Sequence, residues 1–426
     1  MPENKLFILA DDLTGANDTA IQFVKHGFSA LVAIHDQFSR PSEFANFNII
    51  SINSDSRKMS RKDAYNAVQN LLQRLKTANF GGIYYKKVDS VLRGNPGAEL
   101  NAVMDELGIS LAIAAPSFPA NRSILEQGIL KSGKTIPQAA IDAVKIFADG
   151  MNKKVENIPL EIIRQGYLKA AEHVLARHGC GAQVFVADAV IDEDLAIISR
   201  ISAAIEKPLV LAGAGALANQ IAQNIDLKRL AAKQPLSSAP SFPALVICGT
   251  QQGETAVQVK TLSEKLAAPV VRFQTGLVKK GKSKEAVKLA LDEAGQSMKK
   301  NPALCIVVVD TLLEAEIPEG NVVWDKTGND DDSQAVSAAL GEAATGLAGS
   351  YGFPVVISTG GDTSLEICKR LNVLGIEPLA EICPGIPIGK IVGGSCENRY
   401  IITKSGRFGS KDALVEIMDY IKAGHL

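Results

Sequence analysis

Short runs of Val, Ile and Leu alternate along the chain with stretches in which apolar residues return every three or four positions. The runs at residues 5–10 (KLFILA), 48–52, 82–86, 111–115, 183–187 and 209–212 predict buried strands in the first half. Those at 245–248, 304–309, 355–358, 390–392 and 400–403 do so in the second. Between them, Ala20, Phe23 and Val24 share one helix face, and Ala64, Val68, Leu71, Leu72 and Leu75 share another. Such alternation predicts an α/β fold of two domains, each a mainly parallel sheet covered by helices. The break between them is QPLSSAPSFP at 234–243, where three Pro and three Ser in ten residues stop any helix or central strand. The expected domains are 1–233 and 240–426.

Composition narrows the setting. With 426 residues, 46% of them apolar, the chain is long enough for two cores. Its net charge of −1 gives no reason to expect a nucleic acid or an anionic membrane as partner. Six Cys lack the two-residue gap of a zinc or redox motif, so reduced, mostly buried thiols are expected. The start, MPENKLFILADD, has no basic segment followed by a long apolar stretch, and no apolar run reaches the ~18 residues of a membrane span. A cytoplasmic location is expected. Oligomeric state is left open.

Ligands of open α/β sheets bind beyond the carboxyl ends of strands. In the first half those ends are charged. Residues 5–10 run into Asp11-Asp12-Leu13-Thr14-Gly15-Ala16-Asn17-Asp18, whose carboxylates could orient or deprotonate an attacking hydroxyl, or simply cap a helix. After the strand at 82–86 come Lys87, Val88, Asp89, Ser90 and Arg93, with cations for a carboxylate and an Asp for hydroxyls. Asn53-Ser54-Asp55-Ser56-Arg57 is weaker, being ordinary turn chemistry. Arg122, in the stiff turn after residue 115, faces either the cleft or solvent.

One motif competes. Residues 128–135, GILKSGKT, match the pattern of a phosphate-binding P-loop. The mechanism needs a strand immediately before the first Gly and a helix opening at the Lys-Thr. Here the preceding strand ends a dozen residues earlier and Pro137 follows, so a hairpin or irregular excursion is expected instead.

In the second half three strands each lead into a glycine-containing loop and then a helix: Gly249-Thr250-Gln251-Gln252-Gly253-Glu254-Thr255, Thr359-Gly360-Gly361-Asp362-Thr363-Ser364 and Lys404-Ser405-Gly406-Arg407-Phe408-Gly409. Backbone N–H groups at such helix entries approach phosphate oxygens. Lys404 and Arg407 are expected to neutralise a polyphosphate. Asp330-Asp331-Asp332 reads as a solvated loop rather than a metal site.

ADDLTGANDTA at 10–20, KKVDSVLRGN at 86–95, STGGDTS at 358–364 and TKSGRFG at 403–409 together resemble the four-carbon acid sugar kinase family, over essentially the whole chain. The resemblance implies an N-terminal domain for an aldonate-like acid, a C-terminal domain for ATP, and phosphorylation of a terminal hydroxyl with magnesium accompanying the nucleotide. The KKVDSVLRGN segment resembles the D-threonate branch; the 3-oxo-tetronate branch carries a Cys/Ser/Thr-rich segment there. By match to the motifs, Asp12, Arg57 and residues 87–90 (Lys87, Val88, Asp89, Ser90) carry over as substrate contacts. Thr250, Gly360, Gly361, Asp362, Thr363 and Gly406 carry over as nucleotide contacts. Two positions depart from the family. Gln252, also expected at the nucleotide, stands where a hydroxyl is usual, and Asn121-Arg122-Ser123 replaces Gly-Arg-Thr, with Asn121 expected to supply the left-handed backbone.

The reading is therefore in-line transfer from ATP. The acid pairs with Arg57, Lys87 or Arg93, and Asp12 or Asp89 is the candidate catalytic residue, with Asp362 a third candidate. Rival readings are the same chemistry on D-erythronate, L-threonate or a 3-oxo acid, a non-catalytic acid-sugar sensor whose nucleotide domain is vestigial, and a P-loop regulatory NTPase.

Overall fold

In a computed structural model of the chain, residues 5–34, 44–77, 82–132, 140–230, 241–314 and 330–424 are described. Contacts divide it into two units, Met1–Ala232 and Lys233–Leu426.

The first unit alternates strand and helix: β1 (Leu6–Ala10), α1 (Leu13–Val24), β2 (Ala30–Ala33), β3 (Ile49–Asn53), α2 (Arg61–Thr77), β4 (Ile83–Lys87), α3 (Pro96–Leu107) and β5 (Ala112–Ala115). An excursion follows, β6 (Ser123–Glu126), β7 (Ile129–Ser132), β8 (Ile141–Asp142) and α4 (Ala143–Ala148). The chain then returns through β9 (Val155–Ile158), α5 (Leu160–Ile163), α6 (Tyr167–Gly179), β10 (Val184–Ala187), α7 (Asp192–Ile201), β11 (Val210–Gly213) and α8 (Gly215–Asn224). Eight strands lie in the order β2-β3-β1-β4-β11-β5-β10-β9, every neighbouring pair parallel. Helices cover such a sheet, which is why β1 and β3 are buried at every position and need no polar alternation. The α2 face expected from spacing is the buried one: Ala64, Val68, Leu71, Leu72 and Leu75.

The second unit contains β12 (Ala244–Cys248), α9 (Gly253–Leu266), β13 (Val270–Phe273), α10 (Thr275–Lys279), α11 (Ser283–Lys300), β14 (Leu304–Val309), α12 (Asp310–Glu314) and α13 (Asp330–Tyr351). It continues with β15 (Val355–Thr359), α14 (Gly361–Arg370), β16 (Gly375–Cys383), β17 (Ile386–Val392), β18 (Tyr400–Lys404) and α15 (Ala413–Ala423). Strands β13-β14-β12-β15-β18 are parallel, while β17 and β16 continue antiparallel. The α/β class with two mainly parallel sheets is thus as the residue pattern predicts.

Three local expectations are corrected or bounded. The Asp330-Asp331-Asp332 run opens a 22-residue helix instead of lying in a loop. The left-handed residue of the 119–122 turn is Arg122 (φ 57°), not Asn121, which closes a short 3-10 turn. The P-loop-like stretch is a hairpin as far as Ser132: β7 pairs antiparallel with β6 through Gln127 and Gly128, both at positive φ as a two-residue hairpin turn requires. The N–H groups of Gln127 and Gly128 donate to the Asp188 carboxylate at 2.7 and 2.9 Å. Its Gly133, Lys134 and Thr135 lie outside the described residues, as do residues 234–240 of the boundary segment.

Candidate functional site

Within the first unit, β1 has β3 on one side and β4 on the other, and the chain crosses β1 between making them. The carboxyl ends of these three neighbours bring Asp11 and Asp12, then Arg57, then Lys87 and Asp89 together. Asp12 caps α1, accepting from the Gly15 N–H at 2.7 Å and from Thr14 Oγ1 at 2.7 Å. A methyl group on Gly15 would stand 2.6 Å from Asp12 Oδ1 and 3.3 Å from Lys87 Nζ, so this turn needs glycine to let the carboxylate and the ammonium converge.

Arg57 is the hub. Its Nε and Nη2 donate to the two oxygens of Asp11 at 2.8 Å each, its Nη1 donates to Asp12 Oδ2, and Nη2 lies 3.7 Å from Asp89 Oδ1. Arg93 takes Asp89 from the other side, Nε to Oδ2 at 3.0 Å and Nη2 to Oδ1 at 2.6 Å. Burial pushes the Asp89 carboxyl up, but Arg93 and Arg57 outweigh it and hold the group far below the usual carboxylate range. Asp11 is likewise held low, since burial is overcome by Arg57, Lys86 and Lys87. Lys87 is buried, and among the described residues its ammonium donates to Val88 O at 2.7 Å, leaving further N–H capacity. Val88 is buried and its N–H donates to Gly213 O in β11; Ser90 O accepts from Ser123 Oγ.

Beneath this surface runs a second, fully buried line. Lys86 Nζ is 2.7 Å from Glu99 of α3, Glu99 Oε1 accepts from Ser56 Oγ at 2.7 Å, and Ser56 meets Ser54 at 2.7 Å. An ammonium and a carboxylate out of water are tolerable only when paired and hydrogen-bonded. The line fixes the loop that carries Arg57. The sequence pattern shows Lys86 only as a strand residue and Glu99 only as helix composition; nothing in the spacing joins them.

In the second unit β12 is flanked by β14 and β15, and β15 by β18. The loops after β12, β15 and β18 are therefore adjacent. A methyl group on Gly249 would fall 1.9 Å from Thr363 Oγ1, and one on Gly406 would fall 2.4 Å from Thr250 Oγ1 and 2.7 Å from Gln252 Cγ. Gly360 sits at φ 107° just before α14, whose first turn holds Gly361, Asp362 and Thr363. Gln252 accepts from Arg407 Nε at 3.0 Å, so its amide tethers a cation of the neighbouring loop. Lys404 does not point its charge outward. It is fully buried and donates to Ser405 O at 2.9 Å and Phe408 O at 3.0 Å. Burial pulls its ammonium down to about 8, against smaller upward effects of Cys248 and Glu254. Thr255 and Gln258, on the buried face of α9, touch the same loop; Thr255 ends the glycine-loop motif, while Gln258 belongs to no motif. Their spacing of three, with Leu262 four further on, is the signal that could have placed both on that face.

Among the described residues no group of three or more His, Cys, Asp or Glu converges to hold a metal ion, and no helix is long and apolar enough to cross a membrane.

Residues 6–221 match the family model described as a sugar-binding N-terminal domain, and residues 245–414 match a nucleotide-binding C-terminal domain. A D-threonate kinase of Bordetella bronchiseptica is 28% identical over 97% of this chain and 97% of its own. A D-erythronate kinase of Heliobacterium modesticaldum is 26% identical (98% and 97%), and a 3-oxo-tetronate kinase of Pseudomonas fluorescens 26% identical (99% and 98%). A crystal structure of a Haemophilus influenzae protein shares the fold, with TM-score 0.66 at 21% identity over 99% of this chain and 100% of that one. Two α/β units, one matching a sugar-binding and the other a nucleotide-binding domain, define an enzyme of the phosphotransferase class. The chain belongs to the four-carbon acid sugar kinase family.

Proposed function

We propose that this protein transfers the γ-phosphoryl group of ATP to the terminal hydroxyl of D-threonate, giving 4-phospho-D-threonate, in the cytoplasm. The reading assigns the acid to the domain of residues 1–233 and ATP to that of residues 240–426. The observation that carries it is the convergence of Arg57, Lys87 and Arg93 with Asp11, Asp12 and Asp89 at three neighbouring strand ends. Lys87 is the cation we assign to the substrate carboxylate, because Arg57 and Arg93 already hold carboxylates of the protein. Asp12 is the residue we assign to the attacking hydroxyl. Asp89, held far below the usual carboxylate range, accepts a proton poorly and serves as an anchor.

Thr250, Gly360, Gly361, Thr363 and Gly406 are the proposed phosphate contacts, offered by three adjacent loops. Magnesium on the phosphates would neutralise charge that develops during transfer. Such an ion takes one or two carboxylates besides phosphate oxygens, and we assign Asp362, in the first turn of α14, to that role.

The KKVDSVLRGN segment favours D-threonate over D-erythronate, L-threonate or a 3-oxo-tetronate. The test is ADP release by the purified protein with ATP, magnesium and each of these acids, with the product's phosphorylated carbon identified. Fastest turnover on D-threonate is expected. A preference for another of the four corrects the substrate. Absence of turnover on all of them, with ATP still bound, favours a sensor instead.

A further inference from the structure

The loop of residues 405–410, between β18 and α15, has its carbonyls gathered on three buried side chains. Lys404 Nζ donates to Ser405 O at 2.9 Å and Phe408 O at 3.0 Å, and lies 3.4 Å from Gly406 O and from Thr255 Oγ1. Thr255 Oγ1 donates to Gly406 O at 2.8 Å. Gln258 Nε2 reaches Phe408 O, Gly409 O and Ser410 O at 3.1, 3.3 and 2.8 Å. Lys404 and Thr255 have no exposed surface and Gln258 has 1%. An ammonium withdrawn from water this completely must find partners, and its partners here are the loop's own carbonyls.

The peptide unit is planar and trans, so a C=O turned one way sends the N–H of the same unit the other way. Carbonyls drawn inward at Ser405, Gly406, Phe408 and Gly409 direct the N–H groups of Gly406, Arg407, Gly409 and Ser410 outward. Gly406 itself backs onto Thr250 and Gln252 of the neighbouring loop. Successive N–H groups facing one way are what an anion requires of a backbone.

We propose that Thr255, Gln258 and Lys404 are positioning residues for the nucleotide: a brace that turns the carbonyls of loop 405–410 inward and its N–H groups toward the phosphates. Lys404 acts through the loop and makes no contact with phosphate. This rests on reading the second unit as the ATP site.

The test uses the full chain with ATP, magnesium and the preferred four-carbon acid, plus calorimetric binding of ADP. Gln258→Met keeps the side-chain length and removes the donor; Thr255→Val keeps the shape and removes the hydroxyl; Thr255→Ser restores it. Gln258→Met and Thr255→Val should each raise KM for ATP and Kd for ADP about tenfold, with KM for the acid within about twofold and Thr255→Ser close to the parent. Lys404→Met should cost more, and its effect combined with Gln258→Met should fall short of the product of the two, because both act on one loop. Unchanged ATP and ADP parameters in both Gln258→Met and Thr255→Val overturn the brace alone. So does an equal rise in KM for the acid. A parent protein that binds neither ATP nor ADP overturns the nucleotide reading and the brace with it.

Discussion

Arg57 grips Asp11 by two parallel hydrogen bonds, Nε to Oδ2 and Nη2 to Oδ1, both 2.8 Å, across 46 positions of sequence. The contact joins the loop after β3 to the end of β1 and leaves Nη1 for Asp12. Lysine cannot reproduce this fork, because its ammonium is a point charge. Arg57→Lys should therefore lower kcat/KM for the acid by about tenfold or more while leaving KM for ATP near its parent value. Arg57→Met, which strands Asp11 and Asp12 without their partner, should also reduce stability by about 3 kcal/mol in urea unfolding.

Asp12→Asn keeps the cap and removes the charge. Asparagine caps a helix as well as aspartate does, so α1 keeps its start, while Arg57 Nη1 loses its charged partner and the variant should unfold somewhat more readily than the parent. A kcat lowered by about 100-fold or more, with ATP affinity retained, is expected from steady-state kinetics with a calorimetric ATP titration. Parent-like turnover removes Asp12 from the chemistry.

The Asp89 carboxyl supplies a pH signature. Its folded value is depressed, because Arg93 and Arg57 outweigh the upward pull of burial. The unfolded chain thus binds this proton more readily than the folded one below the ordinary carboxylate value of about 4. The stabilisation is complete above that value and is lost progressively as pH falls beneath it. Thermal unfolding between pH 7 and pH 3 should show Asp89→Asn less stable than the parent at neutral pH, with the gap narrowing toward acid. A gap that widens toward acid contradicts the assignment.

Gly249→Ala places a methyl group against Thr363 Oγ1, so the Thr363 side chain or the loop after β12 must shift. Loss of ATP affinity of about tenfold or more is expected, with the acid's KM unchanged. Parent-like ATP affinity contradicts a role for this loop junction in nucleotide binding.

Buried parallel strands were legible because they need continuous Val, Ile and Leu; β1, β3, β12, β14 and β15 lie within a residue of where their apolar runs predict them. Three of the strands that the pattern missed have other reasons to pair. β9 (VENI) and β13 (VVRF) end their sheets and tolerate polar residues, and β16 (GIEPLAEIC) is antiparallel, with Pro378 and two Glu. The site was legible as charged strand ends and glycine loops, since those follow from order along the chain. Pairing was not. That Arg57 belongs to Asp11, Lys86 to Glu99, and Lys404 to its own loop depends on which strands are neighbours and how deep each side chain lies. A lysine beside a glycine loop reads as a phosphate ligand until its burial is known.

Strand β11 has a consequence for how the protein is made. It pairs with β4 on one side and β5 on the other, and Gly213 O receives the N–H of Val88, at the heart of the proposed acid site. During synthesis β1 to β5 leave the ribosome well before residues 210–213 exist. Without β11 the strand order falls into two blocks, β2-β3-β1-β4 and β5-β10-β9, each with an open edge where β11 belongs. Unpaired edges of this kind are sticky, and long-range pairings form late. The segment proposed to meet the substrate is thus locked by the last strand of its sheet to emerge, and a chain cut short of residue 210 should leave the ribosome as an aggregation-prone fragment rather than as a folded domain.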